Sequence, residues 1–293
     1  MAPPIAAMVE VADMTEATLS ALIKLVHRHT GIAMGERKSV LLQGRLRPRL
    51  RALALDSYQA YLSLIERDPQ EVQVFINMVT TNDTAFFRTP HVWDYLTEKF
   101  LPAWTAAHPG QVLKLWSAAT ASGQEAYSLA MLCQEWQREQ PEFQYQILAT
   151  DISSAVLATA AVGLYGGRSV ERILASHPEM FDKYFRTEAS GARVVETLKK
   201  HIRFAEHNLL MTLHPHEKFD LILLRNVLIY LAPADQKKVV DLLRQNMHYA
   251  SRLILGESES LGRLQTSYVQ DQPLVYGIGE IHQHPQECDH ASA

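Results

Sequence analysis

Residues 115–131 read LWSAATASGQEAYSLAM. The end of an apolar strand runs into a loop of small residues and from there directly into a helix. Such a loop, AATASG with its single Gly123, lets a ligand approach the backbone at the carboxyl end of a strand, where α/β sheets bind their ligands. The loop is not G-x-G-x-x-G. Glu125, at the helix start, also puts negative charge where a pyrophosphate would sit. The stretch therefore suits a cationic ligand better than a phosphate, beside the plainer reading that it is only a tight turn.

Working outward, strand and helix patterns alternate. VLKLWS (112–117) is followed by a helix over about 124–138, QYQILATDI (144–152) by the helical SSAVLATAAVG, and FDLILLRNVLIYL (219–231) begins as a strand. PADQKKVVDLLRQNMHYA then reads as helix and RLILG (252–256) as strand. This alternation predicts βαβ units and a largely parallel sheet. Upstream the chain is all helix: Leu19, Leu22, Ile23 and Val26 recur at helical spacing, and further helices are predicted over about 36–53, 57–65 and 70–80. Pro48 is predicted to kink or divide the second of these. The expected organisation is a helical domain over 14–90, an α/β domain over 91–280 and a disordered tail over 281–293. The irregular stretch 165–205 is expected to give either strands at the sheet edge or a small appended element.

With 293 residues the chain has room for one large domain or two. An apolar share of 47% and a charged share of 20% are those of a globular protein. The net charge of −4 gives the whole molecule no general attraction to nucleic acid or an anionic membrane. Two cysteines, Cys133 and Cys288, make no disulfide framework and no zinc site by themselves. No signal peptide and no apolar run of membrane-spanning length is read, so the expected location is the cytoplasm. The histidine clusters HPHE (214–217) and HQHP (282–285) lack a third spaced ligand, and no metal is expected.

Five further stretches carry candidate chemistry. Asp151 ends the second strand, where an acid either binds ribose hydroxyls or caps the next helix. Arg225 and Asn226 stand where a strand should leave the sheet, and Asn208 follows the strand-like IRFAE. ERKSVLLQGRLRPRLR (36–51) sets Arg45, Arg47, Arg49 and Arg51 against one acid, a local positive patch in an acidic protein. It is either a solvated helix face or a docking surface for an acidic partner. TTNDTAFFRT (80–89) packs short hydrogen-bonding groups against Phe86, Phe87 and Arg88.

Together these stretches resemble the chemotaxis receptor methyltransferase (CheR) family. The resemblance is carried by GERKSVLLQGRLRPRLRAL, TTNDTAFFRTPHVW, LWSAATASGQEAYSLAM, ILATDISSAVLATAAVGLY, RFAEHNLL, FDLILLRNVLIYL and GESESL, and spans about residues 30–262. It departs from the family pattern at the loop, where the common STGEEPYS is ASGQEAYS, and at GESE, where Glu257 stands for a usual histidine. The resemblance implies a Rossmann-like S-adenosylmethionine-dependent methyltransferase domain, a small helical N-terminal domain and a small antiparallel β-subdomain around 185–206. It implies methyl transfer to glutamate carboxylates on the cytoplasmic helical bundle of chemoreceptors, with S-adenosylhomocysteine as product.

Carried over position by position, the resemblance places cofactor contacts on Asn82, Thr84, Arg88, Glu125, Asp151, Asn208, Leu209, Arg225 and Asn226. It places Arg88 and Tyr230 near the transferred methyl. Arg88 is expected to hold either the cofactor's carboxylate or the acceptor's, and Tyr230 either to bond the acceptor or to wall the pocket. The short FRTEASGARVVETLKKHIRF resembles the type that needs no receptor pentapeptide. Two other readings compete: a nucleic-acid methyltransferase docking through Arg45–Arg51, and a non-catalytic cofactor-binding protein that docks on receptors. The first lacks an Asn/Asp-Pro-Pro-aromatic run; the second is disfavoured by the full set of site residues.

Overall fold

The computed structural model describes residues 11–35, 38–214 and 216–279. The tail over 281–293, with Cys288 and HQHP, lies outside them.

Four helices come first: α1 (Glu16–Thr30), α2 (Ser39–Ala52), α3 (Tyr58–Ile65) and α4 (Pro69–Val79). Thr15, Ser57 and Asp68 cap α1, α3 and α4 by accepting backbone N–H bonds from the first turn. Leu22 and Val26 of α1, Leu42, Leu46 and Leu50 of α2, Tyr61 of α3 and Phe75 of α4 form one buried core. Pro48 does not divide α2, which runs continuously through it from Ser39 to Ala52. Leu42, Leu46 and Leu50 are all fully buried on one face, and that packing holds the turn lacking a donor.

After residues 80–89, a long helical segment runs through α5 (Pro90–Tyr95), a π turn (Leu96–Phe100) and α6 (Leu101–Ala107). Then come β1 (Val112–Ser117), α7 (Gln124–Glu139), β2 (Gln144–Asp151), α8 (Ser154–Val162), β3 (Leu164–Tyr165), α9 (Arg168–Ser176), α10 (Pro178–Tyr184), β4 (Phe185–Glu188), β5 (Gly191–Val194), α11 (Glu196–Lys199) and β6 (Ile202–Glu206). The last elements are β7 (Phe219–Leu224), a 3₁₀ turn (Leu228–Tyr230), α12 (Pro233–Arg244), β8 (Met247–Leu255), β9 (Tyr268–Gln272) and β10 (Val275–Ile278).

Seven strands form the main sheet in the order β6-β2-β1-β7-β8-β10-β9, parallel except where β10 pairs antiparallel with β8 and β9. β1 and β7 lie side by side although the chain leaves β1 toward β2, so the order reverses between them. That switch point opens a crevice at their carboxyl ends. One apolar layer, including Leu113, Leu115, Ile147, Leu221 and Leu223, lies on one face; Trp116, Leu148, Ile222 and Leu224 lie on the other.

Three segments differ from the sequence reading. MHYA belongs to β8: α12 stops at Arg244, and Met247 pairs with Phe219 of β7. The β9–β10 hairpin was not anticipated. The antiparallel subdomain expected around 185–206 draws its strands from 164–165, 185–188 and 191–194, whereas 202–206 is the edge strand of the main sheet, paired with β2.

Candidate cofactor crevice

The loop after β1 closes on the tip of β2. Ala121 N–H donates to Asp151 Oδ2 at 2.9 Å and Ser153 N–H to Oδ1 at 2.9 Å. Ser153, not Asp151, occupies the N-cap of α8. Asp151 is buried, which pushes its carboxyl above the usual range against the opposing pull of the Ser153 and Ala121 amides. Each oxygen accepts one backbone bond and keeps a further lone pair, and the residue borders the crevice. Gly123 has a role other than the one its loop suggested. At φ +93° a Cβ would lie 2.7 Å from Ala160 Cβ, so the missing side chain serves packing of the loop on α8.

Glu125, at the start of α7, accepts from Ser117 Oγ at 2.7 Å and from Arg225 Nη1 at 3.1 Å. The cation expected opposite Glu125 is thus already supplied by the protein. Arg225 is buried, and its Nη2 donates to the Arg88 carbonyl at 2.7 Å while its Nε is buried without a partner. A buried pair of this kind is costly to break on one side, because the remaining charge is left uncompensated.

Residues 80–89 form a strap from the helical unit across this floor. Phe86 packs edge-on against Tyr165 and Phe185, at 5.0 and 5.3 Å between ring centroids. Phe87 stacks on His177 at 4.0 Å, and its N–H donates to Ser128 Oγ at 3.0 Å. Phe87 and Thr89 have left-handed backbones, φ +49° and +65°, unusual for such residues. The Arg88 carbonyl between them accepts a second bond, from Trp93 Nε1 at 2.9 Å. The Arg88 side chain stays about one-third exposed, its nearest carboxylate being Asp83 at 3.6 Å.

The crevice has two adjoining compartments, one larger than the other. The larger has apolar walls such as Ile32, Leu41, Val79, Ile152, Leu209 and Val227, and draws them from both the helical unit and the sheet. The smaller is walled by polar groups including Asn82, Thr84, Arg88, Glu125, Arg225 and Asn226. Thr81, Asn82, Ala119, Asp151, Asn226 and Val227 border both.

Every candidate cofactor residue therefore borders the crevice, but the two candidates at the methyl do not share a wall: Arg88 borders the smaller compartment and Tyr230 the larger. Asn208 is also used structurally. Its Nδ2 donates to the His29 carbonyl at 2.8 Å and its Oδ1 accepts from Leu210 N–H at 3.0 Å, tying the turn after β6 to the end of α1.

The four arginines of α2 do not act as one patch. Arg49 forms a two-point pair with Glu71, Nε to Oε1 at 3.0 Å and Nη2 to Oε2 at 2.5 Å, and Tyr61 donates its hydroxyl to the same carboxylate at 2.7 Å. Arg45 donates to the Val79 carbonyl and to Thr81 Oγ1, bracing the start of the strap. Arg47 stands 3.6 Å from the exposed Asp13, and Arg51 is exposed. His214 and His216 lie with ring centroids 5.5 Å apart, and no group of three potential metal ligands occurs among the described residues.

Two residues that the sequence reading did not single out complete the site. Ser117 orients Glu125. Glu259, buried in the turn after β8, accepts backbone N–H bonds from Asn226, Val227, Leu228 and Gly256. Its signal was the GESES run, a strand followed by two acids in a short turn.

Residues 17–80 match the model of the CheR methyltransferase all-alpha domain, and residues 82–273 match that of the CheR methyltransferase SAM binding domain. A chemotaxis protein methyltransferase of Borreliella burgdorferi is 32% identical over 273 residues, covering 90% of this chain and 95% of its own. The chemotaxis protein methyltransferase Cher2 of Pseudomonas putida is 32% identical, with 84% and 92% covered. Chemotaxis protein methyltransferase 1 of Pseudomonas aeruginosa is 31% identical, with 84% and 92% covered.

Proposed function

Because the chain belongs to the CheR methyltransferase family, we propose that it esterifies glutamate side chains on the helical cytoplasmic bundle of chemoreceptors. It is an S-adenosylmethionine-dependent methyltransferase. The cofactor supplies a methyl group on a sulfonium centre. The donor set fits it: the apolar compartment suits a purine, the spare lone pairs of Asp151 suit ribose hydroxyls, and the polar compartment suits an amino acid moiety carrying both charges.

The observation that carries the acceptor assignment is the wall of the smaller compartment. It presents Arg88 and Arg225 and no histidine among the described residues. A glutamate acceptor is ionised at neutral pH and needs no general base. It does need orientation and exclusion of water, since opposite charges that meet in the reaction are stabilised apart by solvent. Arg225 is held by Glu125 and the Arg88 carbonyl, whereas the Arg88 guanidinium, among the described residues, meets only Asp83. Arg88 is the group with donors to spare for a carboxylate, of cofactor or acceptor, in two-point geometry.

Receptor docking is assigned to the outward part of α2, Arg47 and Arg51, with Arg45 at the crevice mouth. Independence of a receptor pentapeptide is supported by the small sheet, where β4 and β5 are joined by Ala189 and Ser190 alone. No helix among the described residues is long and apolar enough to cross a membrane; action on the cytoplasmic part of a receptor places the protein in the cytoplasm.

The test is methyl transfer from tritiated S-adenosylmethionine to receptor-containing membranes, followed by alkali. Volatile methanol, lost when the receptor glutamates are changed to alanine, is the expected result. Alkali-stable label, or label on nucleic acid, would overturn the acceptor assignment.

A further inference from the structure

The loop Asn226–Leu231 is gripped from two sides. From the helical unit, Ala33 N–H donates to the Tyr230 carbonyl at 2.8 Å, and Ile32 forms an antiparallel bridge with Leu231. From the sheet, one carboxylate does the work. Glu259 Oε2 accepts from Asn226 N–H at 2.8 Å and Gly256 N–H at 2.7 Å, and Oε1 from Val227 N–H at 2.6 Å and Leu228 N–H at 2.7 Å. Three successive amides of the loop therefore point at a single buried side chain.

Three features show that this arrangement is specific. Asn226 has φ +59°, a left-handed backbone that asparagine tolerates better than most residues and that its N–H bond to Glu259 holds in place. Glu259 is buried and, among the described residues, its carboxylate meets four backbone N–H groups and no basic side chain, so amide dipoles balance its charge there. Finally, the strand end leaves room for nothing larger than glycine. A Cβ on Gly256 would lie 2.8 Å from both Asn226 N and Glu259 Oε2. The gripped residues matter to the crevice: Asn226 and Val227 border both compartments, and Tyr230 borders the larger.

We propose that Glu259 is a positioning residue for cofactor binding, acting through the backbone of Asn226–Leu228 to fix the Asn226 side chain and the Val227 wall. It touches no reacting group. The carboxylate is required because it alone can accept four N–H bonds; a glutamine in its place has one acceptor oxygen and turns an NH₂ group toward amide donors. The proposal rests on the cofactor reading of the crevice but not on the identity of the acceptor.

Calorimetry with S-adenosylhomocysteine tests it without any acceptor. Glu259→Gln is expected to raise Kd at least tenfold at a temperature where circular dichroism shows the variant fully folded. Glu257→Ala, at the exposed neighbour, is expected to leave Kd unchanged. Asn226→Gly, which tolerates the left-handed backbone, is expected to weaken binding by itself and to shrink the Glu259→Gln effect to less than threefold in the double variant. A Glu259→Gln variant that melts earlier but binds within twofold of wild type would overturn the proposal, as would fully multiplicative losses in the double variant. If Glu259→Gln does not fold, Glu259→Asp carries the same comparison, with the charge kept and the four bonds lengthened. Wild-type protein that binds no S-adenosylhomocysteine would instead remove the cofactor reading itself.

Discussion

Two arginine–glutamate pairs, the buried Arg225–Glu125 at the sheet's carboxyl edge and the partly exposed Arg49–Glu71 in the helical unit, use the same two residue types for different ends. The Arg49 pair is closed. It meets Glu71 at two points, and Tyr61 takes a further site on the carboxylate. The Arg225 pair is open: one contact to Glu125, one reach to the Arg88 carbonyl, and a buried Nε left over beside the crevice. A satisfied ion pair sets architecture; an incompletely satisfied one, at a strand end, holds a site in readiness. The sequence shows an arginine in each case and nothing of the difference.

The comparison breaks first at Arg225. Arg225→Met leaves Glu125 buried without a cation and releases the strap at Arg88, so it should lower stability by about 3–5 kcal/mol and abolish S-adenosylhomocysteine binding. Denaturant unfolding and calorimetry would read the two effects. A stable, fully binding variant would show the pair to be merely structural.

Asp151→Ala comes next. Losing charge-assisted hydrogen bonds of about 1.5–3 kcal/mol should raise the S-adenosylhomocysteine Kd on the order of 10–100-fold. Arg49→Met sharpens the contrast from the other side. It should cost on the order of 1–3 kcal/mol in stability, less than a fully buried pair because the guanidinium is partly exposed, while S-adenosylhomocysteine affinity stays within twofold.

Acid should separate the two regions as well. At Glu71, burial pushes the carboxyl up, but the bonds from Arg49 and Tyr61 outweigh it and hold it below the usual glutamate range. Its stabilising contribution is therefore present above the unfolded-state value and is lost as pH falls through the lower folded one. At Asp151, burial wins over the backbone donors and the carboxyl sits high. The ionised form then costs stability near neutrality, and that cost is relieved on acidification. Cofactor affinity, which uses the ionised form, should fall at a higher pH than an ordinary aspartate would produce. Calorimetry between pH 7 and 4, beside melting curves, would reveal binding failing before the helical unit weakens.

The smallest effects belong to Arg47→Ala and Arg51→Ala. Stability should change by no more than about 0.5 kcal/mol and S-adenosylhomocysteine affinity not at all, while KM for receptor membranes rises and does so less at high salt. An unchanged KM would remove α2 from the docking surface.

What the sequence made legible follows from which interactions are local. β1, β2 and β7 were readable because each is a mostly apolar run, interrupted only by Lys114, by Gln144 and Gln146, or by Asp220, and ended by a turn or a polar pair, close to the pattern of buried parallel strands. Asp151 was readable because it ends such a run. The start of β8 was not: MHYA continues the helical period of α12, and only pairing with Phe219, distant in sequence, makes it strand. β9 carries exposed Val269, Gln270 and Asp271 at an edge, where alternation is weak. The use of Arg49 depends on Glu71, on another helix, and that of Glu259 on three amides some thirty residues upstream. Partners at such separations leave no periodicity to read.

The larger compartment takes walls from Ile32, Met34 and Leu41 on one side and from Ile152, Leu209 and Val227 on the other. A ligand seated there is a thermodynamic cross-link. Whatever free energy it draws from the helical side is free energy opposing separation of that side from the sheet, by the linkage that ties stabilisation to RT ln(1 + [L]/Kd). With the cofactor seated there, as proposed, the enzyme would be most firmly assembled when charged with cofactor or carrying spent product, and loosest in the interval when one is exchanged for the other.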